Sequence, residues 1–127
     1  MDMTEEKLDV NSRSFRINFV QLDNAIVAFF FEDRFRMGTV AIAMPGTGEV
    51  AVGRSSVLIG AKYMMTTRAL AERLAGRTGK MALVSLFTEL DETEALRTYA
   101  KLLDKVSVAT ETESKSARFT HSIGKNV

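Results

Sequence analysis

The chain has 127 residues, 17 of them basic and 16 acidic, giving a formal net charge of +1, and it contains no cysteine. That balance supplies no strong field for DNA, RNA or an anionic membrane, and the missing thiols exclude disulfides, thiolate catalysis and cysteine-ligated zinc or iron–sulfur centres. The length suits one domain with a modest core, and no apolar run reaches the roughly 18 residues that a membrane span needs.

Met1–Asn11 is acidic and polar. It does not resemble a secretory signal and reads as a flexible N-terminus, residues 1–11; together with the missing cysteines it fits a cytoplasmic protein. Ser14–Val20 alternates, with Phe15, Ile17 and Phe19 on one side and Ser14, Arg16 and Asn18 on the other, the pattern of a half-buried strand. Asp23-Asn24 signals a turn. Ala25–Phe31 is a continuous apolar run whose aromatic and β-branched content favours a strand, so the two segments predict a hairpin. Glu32–Arg36 is a charged turn around Phe35, Met37–Met44 a third strand closed by the sole proline, Pro45, and Pro45–Arg54 a glycine-rich loop. Ser55–Ile59 is a further strand.

From Val57 to Val106 the chain reads strand, helix, strand, helix with little connecting material. The spacing predicts a helix over Thr67–Ala75, with Leu70 and Leu74 on one stripe beside Thr67 and Ala71, Thr66 or Thr67 as N-cap and Gly76 and Gly79 as stop. Lys80–Phe87 is a short apolar strand. Asp91, with Glu94 three residues on, opens a second helix to Val106, whose buried stripe is Ala95, Tyr99, Leu102 and Val106. After it the chain turns Ser/Thr/Glu/Lys-rich, so residues 107–127 read as a disordered tail with an extended piece at Arg118–Ile123.

Candidate chemistry is sparse. Gly76-Arg77-Thr78-Gly79-Lys80 resembles the end of a phosphate-binding loop, but Ala75 and Leu74 stand where the first glycine belongs, Met81 replaces the magnesium-binding hydroxyl, and the loop leaves a helix rather than opening one. The same residues spell G-x-x-G beside Arg73, Arg77 and Lys80, yet a KH clamp joins two helices and this loop joins helix to strand. Gly46-Thr47-Gly48 lacks the third glycine of a dinucleotide site. His121, the only histidine, lies in the tail without a ligand set or nucleophile. Glu89, Asp91, Glu92 and Glu94 sit at a helix N-terminus and complement its dipole. The residues therefore point to no catalytic group, cofactor or metal, and to a binding or assembly role by elimination.

One joint spacing goes further. Leu58-Ile59-Gly60, then nine residues, Leu70-Ala71-Glu72-Arg73-Leu74-Ala75, then two residues, Thr78, Lys80 and Val84-Ser85 resemble the small proteasome assembly chaperones, above all the fourth-type chaperone, and Val40–Met44 looks like the strand that precedes this run in that family. The resemblance covers Met37–Val106. It marks Leu58, Gly60, Leu70, Ala71, Arg73, Leu74, Ala75, Thr78, Lys80 and Ser85 as motif residues, structural in role. It implies a non-enzymatic chaperone that binds proteasome α-type subunits during 20S ring assembly and pairs with itself or with a related chaperone subunit. The alternative from another class is a small α+β module that binds a peptide or ligand, or scaffolds a complex.

The expected fold is one α+β domain over residues 12–106, a mostly antiparallel sheet with both helices on one face. Leu70, Leu74, Tyr99 and Leu102 should lie against Ile26, Ile42 and Leu83 or their immediate neighbours. Ala25–Phe31, Val40–Met44 and Met81–Phe87 hold almost no polar residue, so these strands need cover on both faces, and two short helices supply only one. Phe29, Phe30, Phe31, Val40, Ile42 and Met44 are the candidate dimer face.

Overall fold

The computed structural model describes residues 3–46 and 54–106. The expectations for the loop 47–53, for the tail with its extended piece and for His121 lie outside the described residues. In chain order the elements are β1 (Thr4–Val10), β2 (Arg13–Gln21), β3 (Ala25–Glu32), β4 (Thr39–Met44), β5 (Arg54–Ile59), α1 (Met64–Thr78), β6 (Met81–Leu86) and α2 (Glu92–Lys105). The strands form one sheet ordered β1-β2-β3-β6-β4-β5. Every pairing is antiparallel except β3–β6. Both helices pack on one face, α2 over β1 and β2, and α1 over β4, β5 and β6. The fold is α+β, as the sequence indicates.

The largest departure is at the N-terminus. Thr4–Val10 does not fray: it pairs along its whole length with β2, from Thr4 opposite Phe19 to Val10 opposite Arg13. The hairpin closes through Asn11 and Ser12, both at positive φ (50° and 66°), the backbone of a two-residue turn whose twist suits paired strands. The strand hides its nature because Leu8 is its one large side chain packed on the core, while Glu5, Lys7 and Asp9 are exposed and Glu6 is partly so.

α1 begins three residues before the expected start. Its N-cap is Tyr63, in the left-handed region at φ 58°, and no side chain caps it. The Tyr63 carbonyl accepts from the Thr67 amide (2.8 Å) and the Thr67 hydroxyl (2.6 Å), so Thr67 serves inside the first turn and not as the cap. Gly76 is helical, and Gly79, at φ 69°, ends the helix by donating its N–H to the Ala75 carbonyl. α2 starts as its sequence suggests, with the Asp91 carboxylate accepting from the Glu94 amide at 2.9 Å.

Between sheet and helices lies one apolar core. Phe15, Ile17 and Phe19 from β2, Ile26, Ala28 and Phe30 from β3, Ala41 and Ala43 from β4, and Ala82, Val84 and Leu86 from β6 meet Leu70, Leu74, Tyr99, Leu102 and Leu103. Ile26 is in the core, whereas Ile42 and Leu83 point the other way and their neighbours Ala41, Ala43, Ala82 and Val84 take the inner positions. The small side chains on the central strands let α1 sit close to the sheet. Among the described residues no helix is long and apolar enough to cross a membrane.

Candidate interaction surface

The strand period of two decides which side chains the helices leave uncovered. With Ile26, Ala28 and Phe30 inward, Val27, Phe29 and Phe31 face outward. The registers then align a row Val20–Val27–Leu83–Ile42 across β2, β3, β6 and β4, and a second row Asn18–Phe29–Ser85–Val40. Val20, Val27, Leu83, Ile42 and Phe29 are all partly exposed and Met44 is 52% exposed. Towards β1 the same face becomes charged, with Arg16, Glu5, Lys7 and Asp9. The outer face is thus apolar over its central strands and polar at the β1 side.

Of the six residues proposed for a dimer face, Phe29, Ile42 and Met44 are accessible there. Phe30 is a correction: strand alternation turns it inward, where it is fully buried and meets the Tyr99 ring edge-on at 5.8 Å. Val40 faces outward but is buried. Phe31 also faces outward, yet the segment after β3 folds back over it. Phe35 stacks on Phe31 at 4.9 Å, touches Phe29 edge-on at 5.2 Å and remains 51% exposed itself. Arg36 lies over the Phe87 ring at 4.8 Å. The sequence marked Phe35 only as the centre of a charged turn; an aromatic beside a Phe-Phe-Phe strand was the available signal for this cover.

Most of the motif residues contact other parts of the fold. Leu70, Ala71, Leu74 and Ala75 are core. Gly60 sits at φ 111°, and a Cβ there would lie 2.6 Å from Thr39 Oγ1. The Ser85 hydroxyl accepts the Gly38 amide at 3.0 Å. The Thr78 hydroxyl donates to the Leu74 carbonyl (2.9 Å) and accepts from the Lys80 amide (3.2 Å). Leu58, at 55% exposed, and Arg73 lie at the surface. The three cations around the G-x-x-G sequence are all engaged within the chain. Arg73 pairs with Asp104 at 2.6 Å. Arg77 donates to the carbonyls of Leu103 (2.7 Å) and Val106 (2.9 Å). Lys80 donates to the Leu22 carbonyl (2.9 Å) and Gln21 Oε1 (3.4 Å).

At the end of the sheet where β3 and β6 finish, a buried polar cluster ties the layers together. The Glu32 carboxylate, 5% exposed, accepts two hydrogen bonds from Arg13 Nη2 (3.1 and 2.9 Å) and one from its Nε (3.1 Å), one from the Thr88 hydroxyl (2.8 Å) and one from the Glu89 amide (2.5 Å). Burial alone would raise its pKa, but the donors from Glu89, Thr88 and Arg13 outweigh that and hold it below the usual carboxylate value. Burial pushes the neighbouring Tyr99 hydroxyl up, and its oxygen has no hydrogen-bond partner among the described residues. Beside this cluster a cleft of about 660 Å³ opens between Met37, Thr39, Gly60, Lys62, Phe87 and Glu89. Of the acidic group that follows, Asp91 caps α2 and Glu92 accepts the Thr66 amide at 3.2 Å. Among the described residues no set of three or more His, Asp or Glu is grouped to hold a metal.

Comparison with protein-family models and with curated proteins gives no match. Among solved structures, the chain is similar to one in the crystal structure of a novel chaperone complex for yeast 20S proteasome assembly. The two share 10% identity and a TM-score of 0.60, over 82% of this chain and 97% of that one. At that identity the likeness establishes a shared fold.

Proposed function

We propose that this protein is a non-enzymatic, cytoplasmic assembly chaperone that binds proteasome α-type subunits during 20S ring formation and leaves before the particle is complete. The observation that carries this reading is the fold shared with nearly the whole length of a chain from a proteasome assembly chaperone complex. The motif spacing from Leu58 to Ser85 supports it independently. Pairing with a second copy, or with a related chaperone subunit, would cover the Val20–Val27–Leu83–Ile42 row. Nucleic acid is disfavoured as a partner, because Arg73, Arg77 and Lys80 are held by internal acceptors.

The test is direct. Folded full-length protein should retain individual recombinant α-type subunits of its own organism, and should be absent from purified mature 20S particles. Failure to retain any of those subunits would defeat the proposal. The cleft beside Gly60 and Lys62 favours one second reading, a small-ligand module. Native mass spectrometry of protein purified from its source separates the two: a stoichiometric small molecule points to the module, α-type subunits to the chaperone.

A further inference from the structure

α2 lies over the β1–β2 hairpin but does not seal against it. Its buried residues Ala95, Tyr99, Leu102 and Leu103 enter the core. The stripe beside them is Glu94, Thr98 and Lys101, successive neighbours on a helix surface, and it brings no large apolar side chain to the hairpin. A cleft of about 300 Å³ remains there, at the lower end of the volumes that hold small ligands. Its apolar wall is made by Leu8 and Val10 of β1, Phe15 of β2 and Leu90 just before α2. Phe15 is 3% exposed and Val10 42%, so the wall runs from the core out to the surface.

The charges that line the cleft leave one cation over. Arg97 pairs with Glu94 at 2.9 Å, and Arg13 with Glu32 at 2.9 Å. Lys101 is exposed and has no ion-pair or hydrogen-bond partner among the described residues. Arg13 gives Glu32 only its Nε and Nη2 hydrogens, so its Nη1 donors are unused among the described residues. Its guanidinium lies 5.4 Å from the Phe15 ring centre, beside the apolar wall. A single uncompensated cation and a pair of spare donors next to an apolar wall suit a ligand with one negative charge and an apolar body. A second negative charge would meet Glu94, and a ligand cation would meet Lys101.

We propose that this cleft binds a small apolar monocarboxylate. The hydrocarbon lies against Leu8, Phe15 and Leu90, and the carboxylate accepts from Lys101 Nζ and Arg13 Nη1. The cleft is on the helix side of the sheet, opposite the apolar outer face. The inference goes beyond the chaperone reading and holds or fails without it.

Three probes on the isotopically labelled full chain separate the two requirements: octanoate, octylammonium of the same chain length, and acetate. Octanoate should shift the amide resonances of Leu8–Phe15 and Leu90–Lys101 saturably, and bind more weakly as salt rises. Acetate, with the charge but no body, and octylammonium, with the body but the wrong charge, should not. Lys101→Glu should weaken octanoate about tenfold or more and admit octylammonium, whereas Lys101→Arg should keep octanoate. Both substitutions fall on an exposed residue, so the resonances of the core should stay in place. Equal binding of octanoate and octylammonium, shifts centred elsewhere, an unchanged affinity in Lys101→Glu, or no saturation at millimolar octanoate would overturn the proposal. So would shifts of residues 107–127 on introducing Lys101→Glu without any ligand, since these would make the chain's own C-terminal segment the occupant.

Discussion

Glu32 and Tyr99 lie toward one end of the sheet, and their hydrogen bonding predicts opposite responses to substitution. Glu32 receives donors from Arg13, Thr88 and Glu89, and its folded pKa lies below its ordinary value of 4.5. A lowered carboxylate stabilises the fold above its unfolded pKa, and that contribution is lost as pH falls through the folded value. Glu32→Gln should therefore cost about 1–3 kcal/mol near neutral pH, and the cost should shrink on acidification, read from urea midpoints of the two proteins across pH. A cost independent of pH would contradict the ionised network. The Tyr99 ring is held edge-on by Phe15 and Phe30, both at 5.8 Å, so its packing survives in phenylalanine, while the unpartnered hydroxyl disappears. Tyr99→Phe should leave stability unchanged or raise it by up to about 1 kcal/mol, and a clear loss in thermal unfolding would show that the hydroxyl is partnered.

Within elements, two glycines of similar look in the sequence behave differently. Gly76 is inside α1 with open space where a Cβ would go, so Gly76→Ala should stabilise by about 0.5–1 kcal/mol through helix propensity. Gly60 holds a left-handed φ of 111° against Thr39, so Gly60→Ala should destabilise; chemical denaturation of the pair gives both signs. Leu74, 1% exposed at the centre of the core, should cost about 2–5 kcal/mol on truncation to Ala. The core stripe of α1, the Asp91 cap and the alternation of β2 were legible because each is a local pattern. β1 was not, since an edge strand with one apolar anchor looks like a polar tail. The start of α1 was missed because a left-handed tyrosine, held by its hydroxyl donating to the Leu90 carbonyl at 2.5 Å, replaces the usual hydroxyl cap. The outer residues Phe29, Ile42 and Met44 were legible as an excess of apolar strand. The inward turn of Phe30 depended on a parity that a run of three phenylalanines conceals, and the cover of Phe31 depended on the return of Phe35, a contact outside any periodic pattern.

For the whole molecule, the question is what covers the outer face. Both helices lie on the opposite side, and the return of Phe35 and Arg36 protects Phe31 and Phe87 without reaching the row Val20–Val27–Leu83–Ile42. A self-complementary pairing through a two-fold axis would bury this row against its own copy, and the charged β1 side would lie at the rim, where solvent keeps ion pairs inexpensive. Ile42 is the best probe, because it is partly exposed, pairs with Leu83 on one side and Ser56 on the other, and contributes nothing to the inner core. Ile42→Glu should convert a dimer to a folded monomer in size-exclusion chromatography with light scattering, with the far-ultraviolet circular dichroism retained. Phe30→Ala provides the contrast: it removes a core ring, so it should lower stability by about 3–5 kcal/mol without acting on the interface. If the unmodified chain is already monomeric at micromolar concentration, pairing through this face is wrong, and the residues outside the described part of the chain become the candidates for covering it.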